Sequence, residues 1–276
     1  MIKNILVGYD DSRPAQVALA QAMDLAEATS GRVRLVVVRT EEGPAPQPEL
    51  AAEPGIAEMV DVGLDEEELE TESAGAPPFV EQARTKLAAA GVEGSVQVAD
   101  GWQPASCLRE EARIADLLVV GRGRAHNGGQ LGRTTRNLLK SHLPCPLLIC
   151  AGQYLPITSM LLVYWPSSSA GRAVSLSGEI AATLNINLNT VVTARGHRAP
   201  HRERARVSSA LLAYHAEGEV TATTEDPQQA VLTAGLQYNP SLLVIPEPAP
   251  RWWPRQLSPV YSAALELPDT LLLIVP

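Results

Sequence analysis

Residues 116–139 read DLLVVGRGRAHNGGQLGRTTRNLL. The opening run, Asp116–Gly121, is short and apolar without strict alternation, as expected of a strand buried on both faces. Glycine then recurs at 121, 123, 128 and 129, and Gly132 opens a helical stretch predicted over Gly132–His142. Strand, glycine-rich turn and helix, in that order, form half of a parallel crossover unit. Glycine admits positive φ and close approach of backbone N–H groups. A helix start adds unpaired donors and about half a positive charge. With Arg122, Arg124 and Arg133 beside it, the stretch suits phosphate. A flexible turn carrying solubilising arginines accounts for the same composition.

The same alternation extends in both directions. Ile2–Tyr9 and Arg32–Val38 read as strands. Between them Ser12 offers a helix cap, Pro14 sits in the first turn, and Gly31 closes a helix with an Ala/Leu stripe. Helix Pro77–Ala90, strand Ser95–Ala99 and helix Pro104–Ala115 precede Asp116, and strand Pro146–Cys150 ends the series. Residues 151–157 read as a linker, after which the pattern restarts. Strands are predicted at Met160–Trp165, Asn187–Ala194, Glu219–Thr223, Ser241–Ile245 and Leu271–Val275. The helices between them are predicted at Ala170–Leu184, Arg202–Glu217, Pro227–Leu236 and Ser258–Glu266. The chain therefore divides into residues 1–151 and 158–276, two copies of one module. The fold class is α/β: two repeated doubly wound domains, each a five-stranded parallel sheet flanked by helices. Pairing the sheets edge to edge as an internal pseudo-dimer would cover the last strand of each copy.

Composition narrows the function. The 276 residues carry a net charge of −9 and are 45% hydrophobic. That excludes a generally basic, nucleic-acid-coating protein. No apolar run reaches the ~18–20 residues of a membrane span, and the early apolar run is too short for a signal peptide. The three cysteines cannot all pair, which points to a reduced, cytoplasmic setting; Cys145 and Cys150 read as core thiols, not zinc ligands. Residues 40–76 hold twelve acidic residues and no Lys or Arg, and the rest of the chain is left at +3. This insert reads as a solvated, solubilising segment. At the matching place in the second copy, Arg195–Arg206 holds five arginines, two histidines and one acid. The two segments are expected to attract each other, within or between chains, which would favour salt-dependent self-association.

Three segments resemble a known family: ILVGYDDSRPA at the start, DLLVVGRGR with LGRTT in the middle, and HLPCPLLIC near residue 150. Together they resemble a tandem universal stress protein, most strongly in the first copy. In family members that bind ATP, an Asp after the first strand touches the ribose or base. A residue ending the second strand meets adenine through its backbone, and a G-x2-G-x9-G-[ST] motif wraps the phosphates. By position the resemblance implies Asp10, Val38, Gly121, Gly123 and Gly132 as nucleotide contacts. Here the glycines read G-x-G-x8-G, and Arg133 stands in the Ser/Thr place with Thr134 and Thr135 after it. Arg133 either makes a charge-assisted contact or marks a copy without the ligand. In the second copy Trp165-Pro166-Ser167-Ser168 stands against Tyr9-Asp10-Asp11-Ser12, and Pro246-Glu247-Pro248 against Gly121-Arg122-Gly123. Proline offers no N–H to phosphate, so a site is expected in the first copy only. Trp252 and Trp253 in the same loop are read as packing on the first copy, with a contact surface as the alternative.

The expected function is a stress-response module binding ATP or AMP, with Mg as an optional companion of the nucleotide. The alternative is an interaction or dimerisation module of the same fold, acting on itself or a protein partner. A slow ATPase has least support, because no general base is placed at a γ-phosphate.

Overall fold

The protein is described here from a computed structural model covering residues 2–39, 78–100, 103–123, 131–194, 199–248, 257–267 and 269–276. The acidic insert 40–76, Arg124, His126, residues 195–198, Trp252 and Trp253 lie outside these.

In the first copy the apolar runs form strands β1 (Asn4–Gly8), β2 (Arg32–Arg39), β3 (Gly94–Asp100), β4 (Leu117–Gly121) and β5 (Leu147–Cys150). Helices α1 (Arg13–Thr29), α2 (Pro78–Ala89), α3 (Pro104–Glu111) and α4 (Arg133–Leu139) connect them. The second copy repeats this with β6 (Ser159–Tyr164), α5 (Ala170–Leu184), β7 (Asn187–Thr193), α6 (Ala199–Leu212) and β8 (Val220–Thr223). It ends with α7 (Pro227–Tyr238), β9 (Leu242–Pro246), α8 (Pro259–Glu266) and β10 (Leu271–Val275). Helix starts follow the expected chemistry. Ser12 caps α1 by accepting from the Ala15 N–H, and Asp226 caps α7 by accepting from Gln228 and Gln229. At the end of α1 the left-handed position is Ser30 rather than Gly31, whose N–H donates to the Ala26 C=O at 2.8 Å. Helix α4 stops at Leu139, three residues before the expected end, because the Lys140 and Ser141 N–H groups turn back in tighter bonds to Asn137 and Leu138.

The ten strands of the described residues join one sheet, in the order β3-β2-β1-β4-β5-β10-β9-β6-β7-β8. Pairing is parallel within each copy and antiparallel at the centre, where Leu148 lies opposite Leu273. Each half is thus the five-stranded parallel sheet expected, and the halves are related by a pseudo-twofold axis at that pair. The antiparallel join turns the carboxyl edge of one copy toward the same side as the amino edge of the other. Every residue of β4, β5, β9 and β10 is buried. Helices α1, α2, α5 and α6 cover one face, and α3, α4, α7 and α8 the other. The linker returns to the first copy through the Tyr154 hydroxyl, which donates to the Asp24 carboxylate. Among the described residues no helix is long and apolar enough to cross a membrane.

The pairing also corrects the alignment of the copies. Ile5 lies opposite Leu117, and Met160 opposite Leu242. With DLLVVG laid on SLLVIP, Gly8 matches Val163, Tyr9 matches Tyr164 and Asp10 matches Trp165. The expected match of Tyr9 to Trp165 was one residue out, because Tyr164 at the end of β6 is followed by a second aromatic residue, Trp165, whereas only Tyr9 follows β1.

Candidate functional site

In the first copy β1 lies between β2 and β4, so successive crossovers leave it in opposite directions. The carboxyl edge of the sheet opens there into the crevice where ligands of open α/β sheets bind. A cavity of about 230 Å³ occupies that place. The end of β1 contributes Gly8, Tyr9 and Asp10, and the start of α1 adds Ser12, Pro14 and Ala15. β2 contributes Val36 and Val38, α3 contributes Pro104 and Leu108, β4 contributes Val120 and Gly121, and the turn after it contributes Gly123. Gly132, Arg133, Thr134 and Thr135 close it from the start of α4. All seven residues singled out from the sequence, Asp10, Val38, Gly121, Gly123, Gly132, Arg133 and Thr134, line this one space.

The local chemistry explains their positions. Asp10 is exposed, and its Oδ1 accepts from the Ser12 N–H at 3.1 Å, forming a turn ahead of the helix. Asp11 adopts φ 57° and is engaged elsewhere: its Oδ1 accepts from the Tyr9 hydroxyl at 2.9 Å and from Gln16 Nε2 at 3.1 Å. Burial, with that bond to Asp11, pushes the Tyr9 phenol far up. In β2 the residues facing β1 alternate. Arg32 N–H bonds to Lys3 and Val36 C=O receives the Tyr9 N–H at 3.0 Å. Val38, two residues on, presents its N–H and C=O on the same side, past the end of β1.

The glycines are packed, not merely permissive. A Cβ on Gly8 would stand 2.8 Å from Leu108 Cδ1, and one on Gly121 would stand 2.4 Å from the Pro14 carbonyl oxygen. Gly123 has φ 78°, and a Cβ there would stand 2.7 Å from the Gly132 Cα. The two ends of the turn are bonded together: Gly132 N–H donates to Arg122 C=O at 2.7 Å, and Thr135 Oγ1 donates to Gly121 C=O at 2.8 Å. Thr135 is therefore committed, while Arg133 is exposed and Thr134 half-buried at the cavity.

Two expectations are corrected. Arg122 does not stand with the cavity's charges. Its side chain crosses into the second copy, where Nη1 donates to Leu265 C=O and Nη2 to Thr270 C=O, both at 3.3 Å. Desolvation lowers its pKa despite the nearby Asp269. His142, expected as a helix-end histidine, lies three residues past α4, and its Nδ1 is 3.1 Å from Glu247 Oε2 of the second copy. Neither direction could be read from sequence, since both depend on the central strand pairing. Cys145 and Cys150 are free and buried, as expected of core thiols, and burial pushes the Cys145 thiol up to about 12.

In the second copy the corresponding space is built differently. Val163 replaces Gly8, and Trp165, only 9% exposed, replaces Asp10 and packs in the same core as Val191 and Tyr261. Pro246 and Pro248 replace Gly121 and Gly123. A larger hollow of about 360 Å³ lies at the opposite, amino edge of β1–β3. It gathers none of the seven residues, and Arg34 beside it is bound to Glu111 and Gln97.

The universal stress protein family model matches residues 1–151. No curated protein sequence matches the chain. Among solved structures, a universal stress protein from Archaeoglobus fulgidus DSM 4304 is similar at 13% identity and TM-score 0.69, over 98% of this chain and 95% of that one. A protein described as functionally unknown from Pseudomonas aeruginosa PAO1 is similar at 14% identity and TM-score 0.66, over 99% and 92%. A universal stress protein from Archaeoglobus fulgidus in complex with dAMP aligns at 14% identity and TM-score 0.33, over 44% of this chain and 98% of that one. The match to the family model spans more than half of the sequence, and this chain belongs to the universal stress protein family.

Proposed function

We propose that the first copy binds one adenine nucleotide per chain and that the second copy binds none. The observation that carries this is the meeting of seven residues from β1, β2, β4 and α4 around one cavity at the switch point of the sheet. Val38 offers backbone groups past the end of β1 to an adenine edge. Asp10, with one oxygen on Ser12, keeps a second for a ribose hydroxyl. The first N–H groups of α4, the Thr134 hydroxyl and the Arg133 guanidinium face the place for phosphate. The Gly132 N–H is already spent on Arg122, so this phosphate grip has one donor fewer than a free turn. Among the described residues no three His, Cys, Asp or Glu side chains converge on a metal position.

The activity is binding without turnover, in a cytoplasmic stress-response module whose working units are residues 1–151 and 158–276. Calorimetric titration of the intact, ligand-stripped chain with AMP and ATP tests the reading. The expected result is one site per chain; absence of heat with both nucleotides overturns it in favour of an interaction module.

A further inference from the structure

Arg122 stands between Gly121 and Gly123, yet its side chain leaves the cavity. Its two carbonyl acceptors belong to the last turn of α8 and to the residue before β10. A cation suits such a place, since the last carbonyls of a helix lack intrahelical donors and carry negative partial charge. The Arg122 backbone faces the other way, its C=O holding the Gly132 N–H at the start of α4. One residue thus joins the end of β4, the start of α4 and the second copy.

The strand register makes Glu247 the counterpart of Arg122, following β9 as Arg122 follows β4. It reaches back across the pseudo-twofold axis to His142, beyond the other end of α4. The helix that closes the cavity is therefore tied to the second copy at both ends.

We propose that Arg122 is a positioning residue, anchoring the Gly121–Gly123 turn to the second copy and so holding the backbone N–H groups of Arg133, Thr134 and Thr135 ready for an anionic ligand. The second copy, with no ligand of its own, then serves as the fixed mount of the first copy's site. The identity of that ligand rests on the nucleotide reading; the anchoring does not. An unanchored glycine turn has more conformational freedom to lose on binding, and the anchor removes that cost beforehand.

Hydrogen–deuterium exchange on the full, ligand-free chain tests this, comparing wild type with Arg122→Met, which keeps the apolar stem, and Arg122→Lys, which keeps the charge. Faster exchange confined to residues 117–123 and 131–139 in Arg122→Met, recovered in part by Arg122→Lys, is expected. AMP affinity in Arg122→Met should fall about five- to tenfold, the size of a typical coupling between linked sites. Exchange unchanged at those residues, or faster everywhere alike, overturns the proposal, as does wild-type AMP affinity in Arg122→Met. If Arg122→Met yields no folded protein, Arg122→Gln carries the same comparison. Should wild type bind no AMP while the local exchange difference holds, the nucleotide reading falls and the anchoring stands.

Discussion

At Asp10 one carboxylate oxygen serves the turn into α1 and the other is left to the cavity. Removing the side chain takes away both. Asp10→Ala should cost the charge-assisted bond to ligand, about 1.5–3 kcal/mol, and weaken AMP binding at least about tenfold in calorimetry. The lost turn bond is exposed, so the melting temperature should change little. Glu247 is a different case. Burial raises its carboxyl pKa against the help of His142 and the Leu143 N–H. The folded chain then holds this proton more tightly than the unfolded chain. As pH rises through the carboxylate range the unfolded state ionises first, and stability falls. Glu247→Gln should therefore melt higher than wild type at pH 7, with the gap closing below pH ~4. A gap independent of pH would show that the carboxylate is not responsible. That Asp10 would line a cavity was legible from its place after an apolar strand. That Arg122 would turn away was not, because the carbonyls it meets lie more than 140 residues along the chain.

Among the elements, the turn from β4 to α4 depends most on missing side chains. Gly121→Ala places a methyl group 2.4 Å from the Pro14 carbonyl oxygen, and α1 must shift from β4 to admit it. A loss of about 2–3 kcal/mol in urea unfolding is expected, the usual size of an overpacking penalty. Gly171→Ala, in the first turn of α5 with nothing within 4 Å of the new methyl group, should instead gain about 0.5 kcal/mol. Equal effects at the two positions would refute the packing argument. Apolar periodicity located these strands to within a residue or two. It missed the early end of α4, since RTTRNLLKSH has no strong breaker and only the tighter bonds of Lys140 and Ser141 end it. It also misaligned the two copies at Trp165, which only the pairing with β9 could settle.

For the molecule as a whole, the restart of the apolar pattern made two copies legible. The paired edges followed from a physical need, because β5 and β10 are apolar along their whole length and neither can be left bare. A fragment ending at residue 157 would present β5 without its partner. Its own symmetry offers a substitute, since Leu148 and Leu273 occupy equivalent places at the axis. Light scattering on that fragment should show a dimer, and Leu148→Asp should dissociate or precipitate it. A wild-type fragment that stays monomeric would mean that β5 alone does not drive the pairing.

The central antiparallel join has a consequence for synthesis. Leu148 and Leu273 are separated by about 125 residues, which a ribosome adds in roughly 6–25 s. Throughout that interval the first copy can fold, yet its apolar edge strand must wait for a partner encoded about 125 residues further along the message. Two nascent chains on one transcript, each with β5 uncovered, can meet before either β10 exists. Slowing translation downstream of residue 151 should therefore increase chain entanglement, and shortening the delay should suppress it.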